Sequence, residues 1–183
     1  MSQIRFATAR SLFETFPELE TKISVGPGDE SPIAFLKNLS AQEKFEDAVA
    51  FCAHLLPRRE AVWWGCGSAR AFLGDAVPRH SAALAAAEKW VSTPNDEHRR
   101  VALEVGNQGD TSDPLTWLAL AAGWSGGMLN AHPKTPVAMP QYMTARAVRI
   151  AVLLSARVVK SPGRSAQGHA CVADGINIAE SGL

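Results

Sequence analysis

The sequence contains few cysteines, and their number limits the compartments in which the protein works. Cys52, Cys66 and Cys171 are odd in number and widely spaced. A small secreted scaffold held by disulfides uses more cysteines, in even number. The cysteine pattern therefore favours a reducing compartment and predicts no disulfide framework.

The chain also lacks a long apolar run. Charged side chains at Arg5, Arg10 and Glu14 interrupt any stretch near the start that could act as a secretory signal. A membrane span needs about 20 predominantly apolar residues. The longest uncharged stretch, residues 114–133, becomes rich in glycine and polar residues after Trp124. The sequence therefore predicts a cytoplasmic protein without a membrane span.

Acidic residues are absent from residues 114–173, although the formal net charge of the whole chain is zero. Six of the 18 basic residues lie in that stretch, which leaves 12 basic against 18 acidic residues elsewhere. The neutral total gives no general electrostatic attraction to nucleic acids or membranes. The uneven layout has two interpretations: the two portions attract each other within one fold, or the basic part binds a partner.

Helix signals recur along the whole chain, whereas strand signals do not. Pairs of a capping residue and proline at 31–32, 93–94 and 113–114 are typical of helix starts. Ser40 and Glu43 match the capping box, which predicts a further helix start there. In the helix that follows, Ala48, Val49 and Cys52 form an apolar face, and Ala50 is expected on a solvated side.

The length of 183 residues fits one domain, and 46% of the residues are hydrophobic. Predicted helices of about 10–20 residues joined by short turns are typical of antiparallel helix packing. We therefore predict an all-α fold, a single-domain antiparallel helical bundle or array of about seven to nine helices over residues 1–183. Residues 1–30 are a candidate peripheral segment, and residues 161–183 are predicted as a weakly helical tail.

The most distinctive stretch lies in a helix predicted from Arg58 to about Leu73. Two tryptophans, Trp63 and Trp64, are followed by Gly65 and Gly67, and each glycine costs about 1 kcal/mol of helix stability relative to alanine. The favoured interpretation is a tight helix crossing at which both tryptophans are core anchors. The functional alternative is an exposed partner-binding patch on one helix face, formed by Arg59, Trp63 and Arg70.

A basic stripe is predicted on the last strong helix, from about residue 141 to 159. At about 100° per residue, its members fall within roughly a quarter of the helix circumference. Two interpretations stay open, a solvated face that pairs with acidic residues, or a surface for an acidic partner or a phosphate backbone. The members of this basic stripe are Arg146, Arg149, Leu153, Arg157 and Lys160.

No reactive constellation stands out. Residues two apart on a helix diverge by about 200°, so the pairs Cys52/His54 and His169/Cys171 are poor metal chelators. The histidines are scattered, and Gly65 and Gly67 lack the further residues of a phosphate-binding loop. We predict no catalytic residues, no metal and no cofactor.

Three stretches resemble a bacterial family of unknown function whose members are often encoded beside type VI secretion components. They are LPRREAVWW (56–64), TWLALAAGWSGG (116–127) and TARAVRIAVLL (144–154). The resemblance covers most of the chain from about Ser31 onward. It implies an accessory role around a contractile secretion machine, as an adaptor, chaperone-like loader or regulator, and it carries no catalytic residues.

The leading hypothesis from the sequence is a non-enzymatic protein-interaction module, accessory to type VI secretion, whose partners are secretion components or effectors. The second is a small helical enzyme with dispersed residues, which a deep polar pocket holding a histidine beside a carboxylate would favour. The third is nucleic-acid binding through the basic face of residues 146–160, using Arg146, Arg149, Arg157 and Lys160.

Overall fold

A computed structural model describes residues 4–130, 135–159 and 163–183. Helices form nearly all of the regular structure in these residues, which confirms the predicted all-α fold. Two 3₁₀ turns, at Pro17–Thr21 and Gly74–Ala76, and a short antiparallel pairing of β1 (Met128–Asn130) with β2 (Val137–Ala138) complete it. The described helices are α1 (Ala9–Thr15), α2 (Pro32–Ala41), α3 (Phe45–Leu55), α4 (Arg58–Leu73), α5 (Ala82–Ser92), α6 (Asp96–Gln108), α7 (Pro114–Gly123), α8 (Tyr142–Arg157) and α9 (Gly163–Ser181).

Local capping chemistry explains where several helices begin. The hydroxyl of Ser31 accepts a hydrogen bond from the backbone amide of Ala34, and Asp113 caps α7 in the same manner through Leu115. These side chains satisfy amides that the first turn of a helix leaves without a partner. The start predicted at 93–94 lies slightly later, because Asn95 supplies the cap of α6.

The capping box predicted at Ser40 and Glu43 is wrong. Helix α2 continues through Ser40 to Ala41, and the hydroxyl of Ser40 lies 2.9 Å from Nδ1 of His169 in α9. Glu43 adopts a left-handed backbone conformation with φ of 56°, so it belongs to the turn rather than to a helix. The chain reverses between α2 and α3 at this point, and α3 begins at Phe45.

Helix α3 is surrounded by other elements, so it has no solvated side along its second half. Every residue from 48 to 55 is buried, including Ala50, for which the sequence predicted a solvated position. The helix packs against α2, α8 and α9, and small side chains such as Ala48 and Ala53 allow these neighbours to approach closely. Periodicity alone missed this burial because alanine is compatible with both environments.

Helix α9 forms where the sequence predicted only a weakly helical tail. It spans 19 residues and packs against α3, α4 and α2. Its glycines permit this packing, because a Cβ at Gly175 would collide with the sulfur of Cys52, and one at Gly168 would lie 3.2 Å from the ring of Phe45. Tertiary contacts therefore stabilise a helix whose own sequence has low propensity.

Both ends of the described chain contribute to one hydrophobic core. Residues 1–30, the candidate peripheral segment, supply Leu12, Phe13 and Leu19 to that core, and each is almost completely buried. Phe13 packs edge-on against Phe35 of α2.

The centre of the fold is the packing of α4, α7 and α8 on one another. Gly65 of α4 makes the predicted close crossing, since a Cβ there would lie 2.8 Å from Leu118 and 3.2 Å from Val148. Gly67 does not, because no neighbouring group of the described residues lies within 4 Å of a Cβ placed on it. None of the described helices is both long enough and apolar enough to cross a membrane.

Candidate functional site

The structure separates the two adjacent tryptophans of α4. Trp64 is a core anchor that is 2% exposed, and its indole nitrogen donates a hydrogen bond of 2.9 Å to the carbonyl of Cys171. Trp63 is not a core anchor, because 44% of its surface is exposed. The interpretation of both residues as core anchors is therefore right for Trp64 and wrong for Trp63.

Arg59 and Arg70 flank Trp63, and both reach across to α5. The guanidinium of Arg59 donates to the carbonyl of Val91 at 2.7 Å. Arg70 makes two hydrogen bonds of 2.9 Å with the carboxylate of Glu88. These contacts hold both arginines in defined positions on either side of the exposed indole, although the Arg70 pair lies at the surface, where ion pairs contribute little stability.

Gly67 lies one helical turn after Trp63 on the same face of α4. Because no neighbouring side chain or element in the described part of the chain lies within 4 Å of a Cβ placed there, the helix surface beside the indole is open. An exposed indole beside bare helix backbone can receive an apolar side chain of another molecule. We call the surface formed by Arg59, Trp63, Gly67 and Arg70 the Trp63 surface.

The basic stripe does not form one continuous band on α8. Arg146 and Arg157 are exposed, whereas Arg149 and Leu153 are partly buried. Within the described residues, Arg146, Arg149 and Arg157 have no ion-pair partner within 4 Å. Lys160, the last member of the stripe, lies outside the described residues.

The two ends of the stripe face different depressions. Leu153 and Arg157 line one depression that also contains acidic side chains, Glu43, Glu46 and Asp47. Arg146 and Arg149 line another, about 480 Å³ in volume, between α8 and the Pro17–Thr21 turn. We call the second depression the His54 cavity; its lining residues are Glu18, Thr21, Lys22, His54, Tyr142, Arg146, Arg149 and Ile150.

His54 lies in the last turn of α3 and is 4% exposed. Its Nδ1 lies 2.8 Å from the carbonyl oxygen of Ala50, and because a carbonyl can only accept, Nδ1 carries the proton. Burial lowers the pKa of His54 below its ordinary value of 6.5, and Arg149 lowers it further, whereas the Ala50 carbonyl and Glu18 oppose this change. The ring is therefore neutral near pH 7, with a lone pair on Nε2.

Glu18 faces that second ring nitrogen. Its Oε1 lies 3.5 Å from His54 Nε2, a distance too long for a good hydrogen bond. Both atoms are buried without a hydrogen-bond partner among the described residues, and so is Nε of Arg149. Leaving a buried polar atom unpaired costs about 1–3 kcal/mol, so three such atoms around one cavity indicate a site rather than a random packing fault.

The sequence does not reveal this cavity, because the residues that line it are far apart along the chain. Glu18, His54 and Arg149 come from a 3₁₀ turn and two different helices. In the sequence His54 is one of several scattered histidines, and no motif includes Glu18. The local signal is a histidine at the end of the apolar second half of α3. The same pattern is typical of a core histidine whose polar atoms are all hydrogen-bonded, so it does not by itself indicate a binding site.

The cysteines and histidines do not assemble a metal centre in the part of the chain that the structure describes. No group of three or more His, Cys, Asp or Glu side chains there has a suitable arrangement. All three cysteines are free and buried. Burial raises the pKa of the Cys171 thiol to about 12 and raises those of Cys52 and Cys66 as well, so the thiols stay protonated and unreactive.

The fold and its sites define the molecule as an all-α protein with a single helical core, a polar cavity and an exposed tryptophan. More particularly, the chain belongs to the family of unknown function DUF6931, which it matches over residues 35–179. The expected membership in an uncharacterised family is thereby confirmed. No curated protein and no solved structure matches the chain.

Proposed function

We propose that this protein is a non-enzymatic protein-interaction module of the bacterial cytoplasm, acting as an adaptor or chaperone-like accessory of a type VI secretion system. The observation that carries the proposal is the exposure of Trp63 between two anchored arginines. Tryptophan and arginine are enriched among residues that dominate binding energy at protein interfaces. The secretion context comes from the resemblance in the three tryptophan- and alanine-rich stretches.

Removing the Trp63 indole tests this proposal. In an affinity pulldown from cells that encode the protein, the unaltered chain should recover a type VI secretion component. The Trp63→Ala variant, used as bait in the same way, should recover much less of that component. A tryptophan hot spot contributes about 2 kcal/mol or more, so recovery should fall by roughly thirtyfold. Matched bait with Val101→Ala, which removes an exposed apolar side chain from α6, should recover the component unchanged.

The result opposes the proposal if the unaltered chain recovers no secretion component, or if both variants recover it equally. Circular dichroism of both baits establishes that they are folded. Because Trp63 makes no side-chain hydrogen bond with the described residues and 44% of its surface is exposed, its loss should leave the helical signal intact.

A small helical enzyme is the second candidate, and the pairing of His54 with Glu18 in a polar cavity favours it. The geometry differs from a Ser–His–Asp triad in one respect. In such a triad the carboxylate binds one nitrogen of the histidine ring, and the nucleophile approaches the other nitrogen. In this protein Nδ1 of His54 donates a hydrogen bond to the backbone carbonyl of Ala50. Glu18 therefore faces Nε2, the ring nitrogen that could act as a base. This arrangement suits ligand binding better than proton abstraction.

Nucleic-acid binding through Arg146, Arg149, Arg157 and Lys160 has less support. Arg146 and Arg149 line a cavity that includes Glu18, and Arg157 lines a depression with three acidic residues. A phosphate backbone would meet carboxylates at both places. Binding to duplex DNA at low salt, weakened by Arg157→Gln, is the result that would favour this function over the others.

A further inference from the structure

Among the described residues, the His54 cavity is lined by three cationic side chains and one carboxylate, that of Glu18. Lys22, Arg146 and Arg149 line it, and none of the three has an ion-pair partner within 4 Å among the described residues. Nε of Arg149 is buried, and no group in the described ranges accepts a hydrogen bond from it. Guanidinium groups bind oxyanions through paired N–H donors, so the cavity has the chemistry of an anion site.

The cavity also contains two acceptors that an ordinary anion cannot satisfy. Nε2 of His54 and Oε1 of Glu18 lie 3.5 Å apart, and no described protein group donates a hydrogen bond to either. Since Nδ1 of His54 carries the ring proton, Nε2 of the neutral ring can only accept. A ligand that pairs all the buried atoms therefore needs oxygens for Arg149 and an O–H donor for Glu18 or His54.

We propose that the His54 cavity is a binding site for hydrogen phosphate, a tetrahedral oxyanion that keeps a P–OH group near neutral pH. Arg149 and Arg146 bind its charged oxygens, and Glu18 with His54 accepts the hydrogen bond from its hydroxyl. Sulfate has the same shape but no proton at this pH, so its oxygen would face the Glu18 carboxylate. The cavity is therefore expected to select phosphate over sulfate.

The volume of about 480 Å³ leaves room beyond one phosphate ion, and Tyr142 and Ile150 are among the residues that line the cavity. A phosphate group bearing a P–OH can come from free inorganic phosphate or from a phosphomonoester that retains one proton. Inorganic phosphate tests the shared chemistry. Methyl phosphate at pH 8, which has lost its P–OH, separates the hydroxyl requirement from the requirement for charge.

Isothermal titration of the full chain at pH 8 with inorganic phosphate should show saturable binding. Binding of sulfate and of methyl phosphate should be weaker by roughly tenfold or more, as expected for the loss of a hydrogen bond to the buried Oε1 of Glu18. Arg149→Gln should abolish phosphate binding. Arg157→Gln, on the same helix but outside the cavity, is the matched control and should bind phosphate as the unaltered chain does.

Glu18→Gln provides a second readout that a purely structural role would not produce. The amide keeps the size of the side chain and can donate a hydrogen bond, so the preference for phosphate over sulfate should disappear while anion binding remains. The proposal is overturned by absence of saturable phosphate binding, by equal affinity for sulfate in the unaltered chain, or by equal loss in the two arginine variants. It is independent of the Trp63 surface, whose test has a different readout.

Discussion

At the scale of single residues, two neighbouring tryptophans have different physical roles. Trp64 is packed among core side chains and donates to the carbonyl of Cys171, so it joins α4 to α9. Trp63 points about 100° away around the same helix and is exposed to solvent. The two tryptophans therefore allow the same side chain to be compared in a buried and in an exposed position of one helical turn.

Phenylalanine in place of Trp64 should lower the free energy of unfolding by about 1–3 kcal/mol. The substitution removes the indole donor and leaves the buried carbonyl of Cys171 without this partner. Trp63→Phe is the matched control, and we expect a change within about 0.5 kcal/mol, because surface substitutions rarely exceed that. Urea denaturation followed by circular dichroism measures both, and equal losses would contradict these assignments.

At the scale of helices, glycine determines how closely the elements pack. Gly123 ends α7 against α6, and a Cβ there would lie 2.6 Å from the Cα of Leu103. Because that neighbour is backbone, it cannot rotate away as a side chain could. Gly67 is the opposite case, an exposed helical glycine with open space around it.

Alanine substitution at these two glycines should change stability in opposite directions. Gly123→Ala should destabilise the fold by about 1–3 kcal/mol through overpacking of α6 and α7. Gly67→Ala should stabilise it by about 0.5–1 kcal/mol, since alanine is the better helix former. Thermal and chemical denaturation test both variants. Stabilisation by Gly123→Ala would mean that α6 and α7 lie farther apart than described.

At the scale of the whole molecule, the buried His54 links global stability to pH. The charged groups that face it are Glu18 from the 3₁₀ turn and Arg149 from α8. Burial lowers the pKa of His54 in the folded chain, so the unfolded chain binds the proton more tightly. Stability therefore rises with pH between the folded and unfolded pKa values and falls as pH drops below about 6.5.

His54→Asn should flatten this dependence between pH 7 and pH 5, because it removes the titrating ring and keeps a donor for the Ala50 carbonyl. Each tenfold difference in proton affinity between the folded and unfolded chain corresponds to about 1.4 kcal/mol. His80→Asn, which removes an exposed histidine, is the control and should leave the dependence unchanged. Identical pH profiles for the unaltered chain and His54→Asn would exclude His54 as the cause.

Much of the helical layout could be predicted because its signals are local. Helix α4 has the predicted bounds, and the caps at Ser31 and Asp113 act within a few residues of themselves. The sequence predictions were wrong where contacts between residues far apart in the chain determine the local structure. Ser40 continues α2 and contacts His169, 129 positions away, and α9 is stabilised by α3 and α4 despite its glycines.

The candidate sites were less predictable than the helices. Arg59, Trp63 and Arg70 share a face by helical geometry alone, but the exposure of Trp63 depends on which neighbours pack against α4. Arg149 was predicted as part of a continuous stripe, and it lies instead at a cavity with Glu18 and His54. The stripe could be drawn from periodicity, whereas its division between two depressions could not.

The amino-acid sequence by itself determined an all-α chain, the positions of most helix starts and the faces on which charged and apolar residues gather, because these follow from contacts within a few residues. Only the tertiary structure decided which tryptophan is buried, that α9 is a full helix, and that His54, Glu18 and Arg149 meet. The physical reason is that burial and the pairing of polar atoms depend on elements far apart in the chain, which periodicity does not bring together.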